Sequence, residues 1–198
     1  MKNFFCFLIF YLFPIYIYSQ NITVDELATL RKKSFTEVEE YLSNKNWSFL
    51  NGEDLSSDKM GSATFSLNKK DFDDNAESFF EFLYDNSENE ESCNHKFFLQ
   101  FFDKSKYNTF INRFKTLGCK LIKSKIENGN IVKIYQGSTT TFQISTIADK
   151  DIFGVTNTRY SLLVLGNIDY FIFYDDDPSL RELLEKQMEN EKLINDSK

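Results

Sequence analysis

The chain has 198 residues, which is enough for one domain or two small ones. Its 30 acidic and 23 basic side chains give a formal net charge of −7, and 17% of its residues are aromatic. Glycine and proline are scarce, at 7 and 2 residues. These values exclude a disordered chain, a collagen-like repeat and a disulfide-dense scaffold. A chain this acidic is also a poor nucleic-acid binder, so we expect no nucleic-acid partner.

The N-terminus predicts export. Lys2 precedes an unbroken apolar and aromatic run of 15 residues over 4–18, which is shorter than the about 20 residues of a membrane-spanning helix. Pro14 interrupts the run, and Ser19 is the small residue expected at a signal cleavage site. We therefore predict a signal peptide over 1–19, a mature chain that begins at Gln20, and a location in the periplasm or outside the cell.

An uncleaved N-terminal anchor is the alternative interpretation of the same run. A lipid anchor is disfavoured because Cys6 lies near the start of the run and not at its end. No later stretch is long and apolar enough to cross a membrane, so we expect no integral membrane segment after signal cleavage.

Two cysteines, Cys93 and Cys119, remain in the predicted mature chain. An oxidising compartment permits a disulfide between them. Two free thiols are the alternative, because Cys93 lies in a polar stretch whereas Cys119 occupies a position typical of a buried strand.

Apolar residues recur along the chain at a spacing of 72. The two matching sets are Phe35, Val38, Leu42, Trp47, Phe49 and Leu50, followed by Tyr107, Phe110, Phe114, Cys119, Leu121 and Ile122. In each set, steps of three and four place the first three members on one face of a helix, and the last three open a strand. Gly118 suits the left-handed position that ends a helix. The pattern predicts an internal duplication, and two unrelated helix–strand units are the alternative.

Each of these helices is followed by a region that fits four short strands. The strands are predicted at 47–51, 61–68, 77–85 and 96–102, and at 119–126, 131–137, 140–147 and 158–165. Alternation of apolar and polar residues supports several of them, and Asn128-Gly129 is a strong hairpin signal. We predict an α+β fold of tandem α-β4 units with a mainly antiparallel sheet, in one piece or two, and helices on one face.

The predicted organisation has three further boundaries. An N-terminal helix segment over 20–33 precedes the first unit at 34–102, and the second unit follows at 103–167. The tail at 168–198 contains a predicted helix from Pro178, because Asp-Pro is a typical helix start. Its apolar stripe, which would pack on the body or dock a partner, is Leu180, Leu183, Leu184 and Met188.

The layout of the two spaced sets resembles the β-lactamase inhibitor protein-like fold, in which a helix and four strands are duplicated. The stretches KYNTFINRFKTLGCKLI and GNIVKIYQGSTTT are also similar to small secreted bacterial proteins. The second resemblance implies no activity. The first implies a broad sheet surface that can lie against another protein, as an inhibitor does.

If the helices cover one face of the sheet, the other face meets solvent or a partner. Alternation assigns polar residues such as Thr64, Ser66, Lys133 and Ser145 to that face, with aromatic residues among them. Large rigid rings in a polar setting are typical of binding surfaces. The candidate binding residues are Phe79, Glu81, Phe98, Gln100, Phe102, Tyr135, Gln143 and Arg159. Cover by the C-terminal helix or by a second copy is the alternative.

The sequence carries no catalytic or cofactor motif. His95 is the only histidine, and we expect it to be exposed in a polar loop and not to bind metal, since a structural zinc site normally takes four ligands. The acidic clusters at 71–74 and 175–177 lack the EF-hand pattern and are expected to be solvated turns, with weak calcium binding as the alternative. We expect no catalytic residue, no metal and no cofactor.

These observations favour an exported, non-enzymatic binding protein with an unidentified protein partner. One alternative is a carboxylate-dependent enzyme or a glycan-binding protein. Another is an envelope protein that associates with itself, and the sequence leaves the oligomeric state open.

Overall fold

The computed structural model describes residues 22–56, 60–69, 76–85, 95–150 and 154–173. Within these ranges there are four helices: α1 (Val24–Leu30), α2 (Phe35–Asn44), α3 (Lys104–Thr116) and α4 (Asn167–Phe173). The eight strands are β1 (Trp47–Glu53), β2 (Gly61–Leu67), β3 (Ser78–Tyr84), β4 (Lys96–Phe101), β5 (Lys120–Glu127), β6 (Asn130–Gln136), β7 (Thr140–Lys150) and β8 (Thr156–Gly166).

All eight strands belong to one sheet in the order β1-β2-β3-β4-β8-β7-β6-β5. Every neighbouring pair is antiparallel. The predicted α+β class and antiparallel sheet are therefore confirmed, and the sheet is continuous. Its centre is the β4–β8 pair, where Leu99 lies opposite Leu162, and its two edges are β1 and β5.

The helices begin where local capping chemistry favours them. The side chains of Thr23 and Ser34 each accept a hydrogen bond from the backbone N–H three residues on. In return, the carboxylates of Glu26 and Glu37 accept from the backbone N–H groups of Thr23 and Ser34. These reciprocal bonds satisfy backbone donors that the first turn of a helix leaves without partners. Asp103 caps α3 in a simpler way, by accepting from the N–H of Ser105 at 2.7 Å.

One face of the sheet, called here the helix-covered face, packs against α1, α2 and α3. Phenylalanines dominate it, and the ring centre of Phe97 lies 5.1 Å from that of Phe80 and 5.0 Å from that of Phe82. Val38 and Leu42 from α2 and Phe110 and Phe114 from α3 complete this core. Its buried residues come from both halves of the sheet, so the core is continuous across the β4–β8 pair.

The opposite face, called here the open face, is partly covered by α4. Tyr170 is buried against Val132, Ile134, Leu163 and Leu165 in a second, smaller apolar cluster. The predicted helices α1, α2 and α3 do lie on one face, whereas α4, which the sequence analysis did not predict, covers part of the other. The reason is that β6 and β8 carry apolar residues on both faces, so each face needs cover.

Two helix–strand junctions share local geometry at a spacing of 72 residues. Asn46 has φ of 62° and Gly118 has φ of 74°, so both turns use the left-handed conformation after α2 and α3. The register of β1 shifts between Phe49 and Asn51, and that of β5 shifts between Leu121 and Lys123. A bulge therefore falls at residue 50 in one edge strand and at residue 122 in the other.

Among the described helices, none has the length and apolar character needed to span a membrane. The predicted signal peptide over 1–19, Gln20 and the C-terminal helix from Pro178 lie outside the described residues.

Candidate functional site

The candidate site is a depression near the middle of the open face. Antiparallel pairing places Phe79 opposite Gln100, and Gln100 opposite Ser161, in one row across β3, β4 and β8. The adjacent row places Glu81 opposite Phe98. The depression between these rows has a volume of about 380 Å³ and is lined by Thr64, Phe79, Glu81, Phe98, Gln100 and Ser161.

A polar network borders the depression on the β7–β8 side. Arg159 donates from Nη1 to Oε1 of Gln100 at 3.0 Å, and its Nε lies 2.8 Å from Oδ2 of Asp149. The guanidinium thus links β4, β7 and β8 and holds the amide of Gln100, which lines the depression.

An apolar wall borders the depression on the side of α4. Phe98 and Phe171 are half-buried against the cluster around Tyr170. The ring of Phe98 therefore contributes both to the cluster under α4 and to the lining of the depression. The depression combines two aromatic rings, a carboxylate, an amide and two hydroxyls in a half-buried setting.

Four of the predicted binding residues, Phe79, Glu81, Phe98 and Gln100, lie together in this lining. Arg159 adjoins them through Gln100. Gln143 is on the same face, opposite Leu163, one strand further from the depression. Phe102 is exposed just beyond the end of β4.

The prediction for Tyr135 is wrong, because its side chain lies on the helix-covered face. Its ring centre is 5.1 Å from that of Phe114 in α3. Lys133 shares that face and donates from Nζ to the hydroxyl of Tyr107 at 3.3 Å. Alternation along β6 was ambiguous, since Val132 and Ile134 are also buried, on the face that α4 covers.

The prediction of an exposed His95 is also wrong, since its side chain is 3% exposed. The imidazole lies edge-on to Phe82 at 4.9 Å between ring centres, and Nε2 is 3.9 Å from Oδ1 of Asp85. Burial lowers the pKa of His95, although the carboxylate of Asp85 works in the opposite direction. Lys96 and Asp169 are buried as well, and burial raises the pKa of Asp169.

Sequence reasoning left Ser161 out of the binding set, although alternation with Tyr160 and Leu162 places it on the open face. It also missed the buried polar residues that precede and begin β4. No sequence signal marked His95 as buried, because its cover comes from residues distant in sequence, with Arg31 and Asp85 acting on it electrostatically.

A second depression, of about 470 Å³, lies between α1 and α2 and is lined by Glu26, Glu37 and Tyr41 among others. Three of its four carboxylates, those of Asp25, Glu26 and Glu37, form ion pairs within the chain. Burial works to raise the pKa of Glu26, but hydrogen bonds from Lys45 and from Thr23 outweigh it and lower the pKa to about 2. Lys33 lies 2.7 Å from Glu37, so this depression offers few unmatched charges to a ligand.

Within the described ranges, no three histidine, cysteine or carboxylate side chains are grouped closely enough to hold a metal ion. The acidic clusters at 71–74 and 175–177 lie outside those ranges. Burial raises the pKa of the Cys119 thiol. Its predicted disulfide partner, Cys93, lies outside the described residues, and the bridge stays a prediction.

The fold and the site define an α+β protein with a single eight-stranded antiparallel sheet and a shallow aromatic and polar depression on its less covered face. Comparison with protein-family models, curated proteins and solved structures found no match.

Proposed function

We propose that the chain is an exported, non-enzymatic protein that binds another protein through its open face, in the manner of an inhibitor. The observation that carries the proposal is the lining of the central depression, in which Phe79 and Phe98 stand beside Glu81 and Gln100. Aromatic anchors in a polar rim are typical of protein interfaces, where a few such residues supply most of the binding energy.

The chemistry of the lining supports binding over catalysis. Among its six residues, one carries a carboxylate, Glu81, and none is a histidine, cysteine or lysine. Hydrolysis by a pair of carboxylates requires a second acid facing the first. A depression this shallow also suits a protruding loop or side chain of a partner protein better than it suits an enclosed small substrate.

We also propose that the sheet consists of two α-β4 units, 34–102 and 103–167, joined through β4 and β8. The left-handed turns at Asn46 and Gly118 and the bulges at residues 50 and 122 support this duplication. The symmetric strand order about the β4–β8 pair supports it as well. In this arrangement the depression lies near the junction of the units, with residues from β2, β3, β4 and β8.

The experiment is an affinity capture with a matched control. The chain from Gln20 onward is immobilised and exposed to native envelope and culture extracts, and bound proteins are identified by mass spectrometry. The test variant is F79S/E81K in the depression, and the control is F49S/E53K on edge strand β1. We expect a protein that binds the unmodified chain and the control in a one-to-one complex, and that binds the test variant at least tenfold more weakly.

Equal capture by all three proteins would contradict the proposal, and so would the absence of any partner for a correctly folded chain. The folded state of each bait is verified by circular dichroism and by the fluorescence of Trp47, the only tryptophan, which is buried.

A further inference from the structure

Positive charge is concentrated in one part of this acidic protein. The 23 residues from Lys104 to Ile126 contain seven lysine and arginine residues and no aspartate or glutamate, whereas the whole chain has a net charge of −7. The run starts immediately after Asp103 and ends immediately before Glu127. It comprises α3, the following turn and β5. Three of the seven, Lys120, Lys123 and Lys125, lie on the edge strand β5. Lys106 is instead buried against Phe101, and Arg113 is paired with Asp25 of α1.

The same edge exposes large apolar side chains. Strand β5 forms what is called here the basic edge, defined by Lys120, Leu121, Ile122, Lys123, Lys125 and Ile126. The exposed fractions of Leu121, Ile122 and Ile126 are 51%, 42% and 79%. Leu117, at the end of α3, is also exposed beside Lys115. Half of the exposed large hydrophobic residues among the described part of the chain lie on or beside this edge.

The basic edge is poorly suited to binding another strand. The register shift between Leu121 and Lys123 bends the edge, and three lysines line it. Bulges and edge lysines are the features by which natural sheets oppose strand addition. Two copies of β5 paired with each other would also bring like charges together. A binding partner of the basic edge would therefore contact its exposed side chains without adding a strand to the sheet.

An anionic lipid surface meets these requirements. Leu121 lies opposite Tyr135 and Ile126 opposite Ile131, on one side of the edge, whereas Lys123 and Lys125 lie opposite Ile134 and Val132, on the other side. A lipid layer that meets the edge of the sheet can take the apolar side chains at the boundary between headgroups and acyl chains, while the ammonium groups remain among the phosphates. A lipid layer needs no concave recess, and neither of the two depressions described above includes a residue of β5. The core of a protein–protein interface is instead depleted in lysine.

We propose that the basic edge is a peripheral binding site for anionic membrane surfaces, with the sheet standing on β5. Leu121, Ile122 and Ile126 enter the interface, and Lys120 and Lys123 contact lipid phosphates. Lys125 lies 2.7 Å from Glu127, which ends the same strand. The central depression is lined by β2, β3, β4 and β8, so it remains accessible when β5 contacts a membrane.

The test is sedimentation with vesicles of stated composition. The chain from Gln20 onward is used, because it contains every described residue and lacks the apolar run at 4–18 that would itself bind lipid. Vesicles contain either 30% phosphatidylglycerol in phosphatidylcholine or phosphatidylcholine alone. We expect binding to the anionic vesicles that is roughly tenfold tighter than to the neutral ones and that weakens as salt is raised.

The other edge of the sheet supplies matched control variants. L121S/I122S and K120E/K123E are each expected to weaken binding to anionic vesicles by roughly tenfold or more. F49S/L50S changes the two residues 72 positions earlier, on β1, and is expected to leave binding within about twofold of the unmodified chain. Circular dichroism and Trp47 fluorescence verify that each variant is folded.

Three outcomes would overturn the proposal. The first is no binding to anionic vesicles by the folded chain, and the second is equal loss of binding in the β1 and β5 variants. The third is binding to soluble polyglutamate that matches vesicle binding and does not change in L121S/I122S. That result would assign the edge to an acidic polypeptide, since a purely ionic partner needs the lysines and not Leu121 or Ile122.

Discussion

At the scale of single residues, two of the buried basic groups, His95 and Lys106, lie against aromatic rings. His95 packs edge-on against Phe82, and Lys106 places its ammonium group 5.1 Å from the centre of the Phe101 ring and 5.5 Å from that of Phe110. Ring faces and nearby carboxylates offset part of the cost of removing such groups from water. The remaining cost appears as a lowered pKa in both residues.

The lowered pKa of His95 predicts a loss of stability in mild acid. In the unfolded chain a histidine titrates near 6.5, and burial holds the pKa of His95 below its usual value in the folded chain. The unfolded chain therefore binds more protons as the pH falls from about 7 towards 5, and the free energy of unfolding decreases. Substitution H95Q is expected to make this decrease smaller.

Urea denaturation of both proteins at pH 7.5 and pH 5.5 measures the effect. His95 is the only histidine, so no other imidazole contributes. An identical pH dependence in the two proteins would show that His95 titrates normally in the folded chain.

The lowered pKa of Lys106 predicts how stability changes in the alkaline range. Burial lowers its pKa to about 7, against about 10.4 in an unfolded chain. Between these values the unfolded chain binds the extra proton, so stability is expected to rise as the pH is raised from 7 to 10. Substitution K106M is expected to raise the free energy of unfolding at pH 7 by about 1 kcal/mol or more.

The same substitution is expected to weaken the rise between pH 7 and pH 10, which chemical denaturation at several pH values detects. K104M is the matched control, because Lys104 is two residues away in the first turn of α3 and is exposed. A loss of stability in K106M would mean that the ion pairing of Lys106 outweighs the cost of burying it.

At the scale of secondary-structure elements, the two edge strands are entered by equivalent turns. After α2 the left-handed position is Asn46, and after α3 it is Gly118. These are two of the residue types that adopt a positive φ most readily. A Cβ atom added at Gly118 would meet no atom within 4 Å, so the cost of a side chain there is conformational and not steric.

This comparison predicts that two substitutions of Gly118 lower the stability by different amounts. Substitution G118A is expected to lower the free energy of unfolding by about 1 kcal/mol, because alanine disfavours positive φ. Substitution G118N is expected to cost less than G118A, as the asparagine at residue 46 suggests. Urea denaturation at pH 7 distinguishes the two variants, and equal losses would indicate that the turn can change its conformation.

At the scale of the whole molecule, the two halves of the sheet share one core. Leu99 in β4 is fully buried and lies opposite Leu162 in β8, where the halves meet. The main apolar cluster includes residues from β1 at one edge to Tyr135 in β6 near the other. Neither half could retain its packing alone, so the described residues should unfold together.

We therefore predict a single cooperative unfolding transition. Trp47 lies in the first half and its fluorescence reports that half, whereas far-ultraviolet circular dichroism reports the whole sheet. The two signals are expected to change at the same urea concentration. Substitution L99A is expected to lower the midpoint of both together, with a loss of about 2–5 kcal/mol.

The control is I126A at a highly exposed position in β5, where the loss is expected to stay within about 0.5 kcal/mol. Fluorescence and circular dichroism transitions that separate in L99A would contradict the shared core.

Much of the fold could be predicted because local patterns were strong. Periodic apolar residues marked α2 and α3, alternation marked β2 and β8, and four of the candidate binding residues, Phe79, Glu81, Phe98 and Gln100, line one depression. Predictions were wrong where both faces of a strand are apolar, as in β6, because alternation cannot then say which face Tyr135 occupies. The net charge similarly concealed the cationic run from Lys104 to Ile126, since composition averages over the whole chain.

The sequence by itself determined the class of fold, the helix starts at Thr23 and Ser34, and the turns at Asn46 and Gly118. These features depend on residues close together in the chain, which interact whatever the rest of the molecule does. Only the tertiary structure decided that the sheet is continuous, that α4 covers part of the open face, and that His95 is buried. Each of these features depends on contacts between segments that are far apart in the sequence. Such contacts leave no periodic signal in the sequence.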